Sequence, residues 1–323
     1  MLQLAIECSG IHGSIAVCEG RPCTASIALP TNKNSVQTLA QAVKSALAGS
    51  LPSFISVTSG PGSFTGLRVG LTTVKMLGLA WNLPIVAVDT LQVLAHQIAA
   101  QQFVNRQSDS GPIIVVPVIN AFRRQVFASV WLAGANGTIV PLTNAQVLDA
   151  DTWLSNPLAG YHVADSARIQ TVASVADPIA EADPARVQSL ISDPVPDLAR
   201  VQTAITEHEP DLTKPLNKLQ QHQFVPDPII AAQGAPTHIA IGGPGLENYL
   251  PKLSHCPIKI NSVQINSKPD QMVPVKILHG VNPDAMWVAN VGFQKFDAGQ
   301  CESAESLMAN YVRASAAEEK LRS

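Results

Sequence analysis

SGPGSFTGLRVG, residues Ser59 to Gly70, stands between a short apolar run (Phe54 to Val57) and a long apolar segment with helical spacing. Gly60, Gly62 and Gly66 let the backbone take positive φ and leave room for a close neighbour. Ser63 and Thr65 can cap the helix that follows, whose first N–H groups offer a place for an anion or another acceptor. Arg68 falls in the first helical turn, where the helix dipole disfavours a cation, so a carboxylate or phosphate partner is expected for it. No Lys-Ser or Lys-Thr pair follows the last glycine, which excludes a Walker A loop. A tight strand-to-helix turn and a binding or docking loop both satisfy this pattern.

Working outward, Leu2–Cys8, Gly13–Cys18 and Thr24–Leu29 read as a three-stranded meander. Val36, Leu39, Ala40, Val43, Ala46 and Leu47 share one helical face, with Asn34 as a cap. Phe54–Val57 is a fourth strand, residues 66 to 81 a second helix, Ile85–Val88 a fifth strand, and Asp89 or Thr90 caps a third helix running to Val104. Three antiparallel strands followed by α-β-α-β-α is the order of a ribonuclease-H-like unit. After the polar stretch NRQSDSG (Asn105 to Gly111) the chain begins again, with strands expected at Pro112–Asn120, Gln125–Ala133 and Thr138–Leu148. The repeated order predicts two lobes, 1–106 and 107–323, in an α/β duplicated ribonuclease-H-like, actin/hexokinase/Hsp70-like (ASKHA) fold. Nine prolines between Pro178 and Pro236 mark residues 165–236 as an irregular insertion in the second lobe, with a short helix at Pro196–Glu207. His238–Ile241 reads as a strand before Gly242, Gly243 and Gly245 and a helix with Leu246, Tyr249 and Leu250, and Pro283 is placed as the first residue of a helix over Ala285–Phe296.

GPGSFTGLRVG resembles the signature of the TsaB (YeaZ) family, relatives of TsaD that work in making threonylcarbamoyladenosine on tRNA. LAIECSGIHGSIAV (Leu4 to Val17), LPIVAVDTLQVLA (Leu83 to Ala95), VINAFRRQVFASVW (Val118 to Trp131), NPDAMWVANVG and ANYVRASAAEEK (Ala309 to Lys320) extend the likeness in order. The resemblance implies a non-catalytic scaffold that dimerises with a TsaD-type protein, joins a TsaE-type ATPase, and meets tRNA indirectly. It supports threonylcarbamoyl transfer to adenosine 37, with TsaD holding the metal and the threonylcarbamoyl-adenylate. A second copy of the chain is an alternative partner. The surface expected to meet TsaD comprises Val36, Leu39 and Val43 of the first helix and Ser63, Phe64, Thr65, Gly66, Arg68, Leu71 and Lys75 of the loop and second helix.

Composition narrows the function classes. Hydrophobic residues make up 46% and charged residues 14% of the chain, with net charge −3 and 21 Lys and Arg; this is a globular composition without the basic cluster that holds a phosphate backbone unaided. A cytoplasmic protein is expected: MLQLAIECSG lacks a basic signal-peptide start, and Lys75, Asn82 and Pro84 interrupt the most apolar stretch, so no membrane span is expected. Cys8, Cys18, Cys23, Cys256 and Cys301, odd in number and without CxxC spacing, are expected as free thiols.

Chemistry-bearing residues are sparse. The eight histidines show neither HxxxH nor HExxH spacing, so no helix offers a metal pair, and no metal site is expected. Ser63 lies in GSFTG rather than in a G-x-S-x-G elbow, which speaks against a peptidase triad, and no catalytic residue is assigned. A stand-alone kinase or ATPase of the actin-like superfamily would place nucleotide near Glu7, Ser9, Gly60, Gly62, Gly242 and Gly243. Glu7 and Asn120 stand where most of the family resembles Asp, which weakens phosphoryl transfer more than it weakens a scaffold. No cofactor is expected on this chain alone, with ATP or ADP placed at the interface of a complex. The remaining alternative is a divergent glycoprotease-like paralogue with another partner.

Overall fold

The computed structural model describes residues 1–20, 22–30, 36–103, 111–134, 137–155, 158, 238–247, 249 and 274–312. The insertion at 165–236, the helix expected at Pro196–Glu207, and the tail beyond Val312 lie outside the described residues.

Strands β1 (Leu2–Glu7), β2 (Ser14–Glu19), β3 (Cys23–Ala28), β4 (Phe54–Gly60) and β5 (Ile85–Asp89) form one sheet in the order β3-β2-β1-β4-β5. The first three pair antiparallel; β1–β4 and β4–β5 are parallel. Alternation sorts their side chains: Leu4, Ile6, Ile15, Val17, Ile55 and Val57 face helices α1 (Val36–Leu47) and α2 (Phe64–Trp81). Ala5, Ala16, Phe54, Val86 and Val88 face the other way.

The second half repeats the plan. Strands β6 (Ile113–Phe122), β7 (Gln125–Ala128), β10 (Gln146–Asp149), β11 (Ile239–Gly242) and β12 (Val275–Leu278) lie in the order β10-β7-β6-β11-β12. Counted among these five strands alone this is again third-second-first-fourth-fifth, with the same alternation of antiparallel and parallel pairs. The duplicated ribonuclease-H-like fold is therefore present in the topology, although no residue-level repeat announces it. Two expected strands are split. The run 125–133 breaks at Ser129–Val130, where the Val130 N–H donates to Thr143 Oγ1 (2.9 Å) and its carbonyl accepts from Leu142 (2.7 Å). The remaining strand β8 (Trp131–Ala133) pairs with the start of β6 and with β9 (Ile139–Pro141), so 138–148 likewise divides into β9 and β10.

Helix α3 (Thr90–Phe103) packs Leu91, Leu94, Ala95 and Ile98 against β6 and β11, and Val93 against the first sheet's cluster. It is buried on several faces, as its apolar composition requires. Helices α4 (Ala150–Ser155) and α5 (Pro244–Glu247) cover the other face of the second sheet with Trp153, Leu246 and Tyr249. Helix α6 (Ala285–Asp297) crosses back to the first sheet, where Ala285, Val288, Ala289 and Val291 meet Phe54 and Val86. Asp284, not a proline in the first turn, caps it: its carboxylate accepts from Met286 N (2.7 Å), leaving Pro283 one residue outside the cap. The chain then closes the edge of β5 through Glu302–Ile85 hydrogen bonds of 2.7 and 3.0 Å, and Ala304 and Leu307 enter the core beneath α2.

One cysteine expectation is corrected. Cys18 and Cys23 form a disulfide, because the short β2–β3 connection places them directly opposite across the ladder. Cys8 and Cys301 are free, and burial pushes the Cys8 thiol far up, which makes it unreactive.

Candidate functional site

The glycine loop docks on the end of β1. Ser63 is the N-cap of α2, its Oγ accepting from Gly66 N at 3.3 Å. Its own N–H donates to the Ser9 carbonyl at 2.8 Å. A Cβ on Gly62 would stand 2.5 Å from that carbonyl, and one on Gly66 would collide with the carbonyl of Cys8. The glycines are thus explained by the approach of the helix start to residues 8–9. The Ser9 carbonyl thus takes the N–H of the cap residue, and the Ser63 hydroxyl takes that of Gly66.

Glu7 ends β1 fully buried. One carboxylate oxygen accepts from Ser9 N (2.6 Å), Ser9 Oγ (2.5 Å) and Gly10 N (3.2 Å); the other, Oε2, is buried with no hydrogen-bond partner among the described residues. Burial raises the pKa to about 7, against the pull of the Ser9 and Gly10 bonds, and the neighbouring Asp284 adds to the rise. Glu7, Ser9, Gly62, Ser63 and Gly66 therefore form one unit in which the carboxyl organises the 8–10 turn. Beside it, the β1–β2 turn, α3 and the start of α6 enclose a cleft of about 470 Å³ lined by His12, Ser14, Gln97, Asn282, Asp284 and Trp287. Among the described residues no group of three or more His, Cys, Asp and Glu is placed to hold a metal.

Gly242 and Gly243 sit elsewhere, at the end of β11. Gly242 packs on Ile98 and Leu278, while Gly243, at φ +127°, abuts the backbone of Val118. Gly60, at φ +119°, lies against the carbonyl of Asn310, whose own N–H donates to Ser59 O at 2.6 Å.

Helix α2 divides into two faces. Leu67, Leu71, Val74, Leu77 and Trp81 are buried against the first sheet. Thr65, Arg68, Thr72, Lys75 and Leu79 follow one another at helical spacing along the outside, with Thr65, Arg68 and Leu79 exposed and Thr72 and Lys75 half-buried. Leu79 is 58% exposed. Arg68 lies over the Phe64 ring at 4.1 Å, one turn back, rather than on a carboxylate, and Phe64 in turn meets Tyr311 at 5.2 Å between ring centres.

Four residues expected on a partner surface are corrected: Leu39, Val43 and Leu71 are 2%, 3% and 6% exposed and belong to the core between α1, α2 and the sheet, and Gly66 is buried against the Cys8 backbone. The outward residues of α1 are polar, Gln37, Gln41, Lys44 and Ser45; the side chain of Val36 lies outside the described set.

Sequence reasoning named Asp89 as a cap of the third helix, but did not single out Asp284, Asn310 or Tyr311. Asp89 caps α3 through bonds to Leu91 N (2.7 Å) and Gln92 N (3.0 Å), while Asn310 Nδ2 donates to its other oxygen (3.2 Å). Burial raises its pKa, opposed by those bonds and by Lys295. Their long separations in sequence left no local signal; the Asp before an apolar helix was the one usable cue for Asp284.

The order of strands in both sheets, with α3 and α6 exchanged between them, defines a duplicated actin-like α/β protein. Residues 30–222 match the profile of the family described as TsaD: tRNA N6-adenosine threonylcarbamoyltransferase. The chain belongs to this family. It is 33% identical over 102 residues to the tRNA threonylcarbamoyladenosine biosynthesis protein TsaB of Bacillus subtilis (strain 168); that stretch is 31% of this chain and spans only 39% of the relative's length. YeaZ from Pseudomonas aeruginosa has the same fold, with a TM-score of 0.54 at 16% identity over 96% of this chain and 99% of that one. A second structure, described as similar to peptidase YEAZ from Pseudomonas aeruginosa, aligns with the same score over 97% and 99%. No helix among the described residues is long and apolar enough to cross a membrane.

Proposed function

We propose that this chain is a non-catalytic partner subunit in the formation of threonylcarbamoyladenosine on tRNA, acting in the cytoplasm and docking a TsaD-type protein through the outer face of α2. The observation that carries the reading is the stripe from Phe64 and Thr65 to Leu79. It leaves apolar and cationic groups exposed on a helix whose other face already completes the core. Family membership supports the pathway, and Glu7, occupied with its own turn, supports a scaffold more than a phosphoryl-transfer centre. A TsaE-type ATPase and ATP or ADP at the assembled interface complete the proposal. In it Phe64, Thr65, Arg68 and Lys75 are contact residues, while Ser63 and Gly66 fix the helix start.

The test is co-purification with the TsaD-type protein of the same cell, scored by size and by ATP-dependent tRNA modification with TsaE added. Leu79→Glu combined with Lys75→Glu is expected to abolish the complex while leaving the thermal transition of the chain in place. Gln41→Glu, on the polar face of α1, is expected to leave the complex intact. Undiminished binding by the α2 double variant would sink the interface; magnesium-dependent nucleotide binding by the isolated chain would favour an enzyme instead.

A further inference from the structure

The β6–β7 hairpin ends in three consecutive non-glycine residues in the left-handed region: Phe122 (φ 58°), Arg123 (φ 51°) and Arg124 (φ 60°). L-residues adopt this region at a steric cost, so surrounding contacts must hold the tip in this shape. They do. Asn120 Oδ1 accepts from Phe122 N at 2.8 Å, Ala150 N donates to the Arg124 carbonyl at 2.8 Å, and the Arg124 guanidinium pairs with Asp151. The result is an aromatic ring held outward, 66% exposed, with two exposed arginines directly after it. No core requirement explains the ring, since its neighbours Ala121 and Val126 already fill the interior.

We propose that this tip, Phe122-Arg123-Arg124, is a contact for an unpaired RNA loop. A lone aromatic flanked by guanidinium groups offers a stacking face for an exposed base and positive charge for the phosphates on either side. A protein-docking patch would instead join the ring to other exposed apolar side chains, and from Ile113 to Ala133 Phe122 is the exposed large hydrophobic residue. Among the described residues, Asp151 pairs with Arg124. Asp149 is engaged by Asp151 N and by Thr152. The Arg124–Asp151 pair is open to solvent, with side chains 69% and 48% exposed, so exchanging its carboxylate for a phosphate costs little. The net charge of −3 keeps the contact weak by itself, which fits a tip that adds to an RNA site built mainly by a partner. The inference rests on the proposed role in tRNA modification, and it makes this chain's contact with the RNA direct.

The test is fluorescence anisotropy of the full chain with a synthetic RNA hairpin bearing an unpaired, adenine-containing loop, and with a fully paired duplex of the same length, over a series of salt concentrations. The hairpin is expected to bind better than the duplex. Phe122→Ala should weaken hairpin binding roughly tenfold and Phe122→Trp should restore it. Arg123→Ala with Arg124→Ala should lower the slope of log affinity against log salt by about one to two. Equal affinities of wild type and Phe122→Ala, or no measurable hairpin binding by the wild type, overturn the proposal. Gel filtration of the same variants with the TsaD-type protein in RNA-free buffer separates the two readings. Loss of RNA binding with the protein complex retained supports the RNA contact, and loss of the protein complex would make the tip a protein contact and overturn it. Failure of the wild type to form the protein complex would strike the proposed function alone.

Discussion

Replacing Glu7 by Gln is expected to stabilise the protein at alkaline pH and to leave its stability nearly unchanged below about pH 4.5. The buried carboxyl has its pKa raised from 4.5 to about 7. Because the folded state binds the proton more tightly, the group's contribution is fully present below about pH 4.5 and is lost as pH rises through about 7. At ~1.4 kcal/mol per unit the shift corresponds to a loss on the order of 3 kcal/mol above about pH 8. Glutamine reproduces the protonated form: its oxygen can keep the bonds from Ser9 N, Ser9 Oγ and Gly10 N, and its amide takes the place of Oε2, which already lacks a partner. The assay is urea unfolding of both proteins across this pH range, comparing their difference at each pH so that other titrating groups drop out. A difference that grows by about 3 kcal/mol between about pH 4 and pH 8 supports the argument. A difference independent of pH would refute it, since Glu7 would then be ionised in folded and unfolded chains alike.

His96 carries the opposite sign. Burial lowers its pKa from 6.5 to about 4, so its contribution is present above 6.5 and lost as pH falls through about 4. Wild-type stability measured by thermal unfolding should consequently be flatter between pH 4.5 and 6.5 than that of either His96→Gln or Glu7→Gln. Gly66→Ala should destabilise by roughly 1–3 kcal/mol or prevent folding, since its methyl meets the Cys8 backbone; denaturant midpoints check this, with Thr65→Ala, at an exposed site, as the neutral control. Asp89→Ala should cost about 1–2 kcal/mol through the lost cap of α3, and should raise amide exchange around Asn310, which loses its anchor.

Much of the first half was legible because its signals are local. Alternation in Leu2–Glu7 and Ser14–Glu19, the stripe of Leu39, Val43 and Leu47, and Ser63 before an apolar helix each depend on residues a few positions apart. The second half was read less well where tertiary pairing overrides pattern: β6 is shared between β7 and β8, which splits an apolar run that looks continuous. Strand β12, half-buried at its two ends and exposed at Lys276 and Ile277, has too little alternation to stand out. Arg68 illustrates the same limit at the candidate site, since its partner is the ring of Phe64 and not the anion that helix electrostatics favour.

By itself, then, the order of strands and helices determined the duplicated α/β class, and the string GPGSFTGLRVG determined the family, because both are carried by residues close together in the chain. Which residues are buried on both sides, which face solvent and which carboxyl holds a proton were decided only by the tertiary structure. Leu39, Val43 and Leu71 look like any apolar helix residues until the sheet closes over them. Glu7 looks like any acid at a strand end until the glycine loop and the start of α6 exclude water from it. Desolvation and exposure are properties of everything that surrounds an atom, and elements as far apart in sequence as Glu7 and Asp284 supply that surrounding.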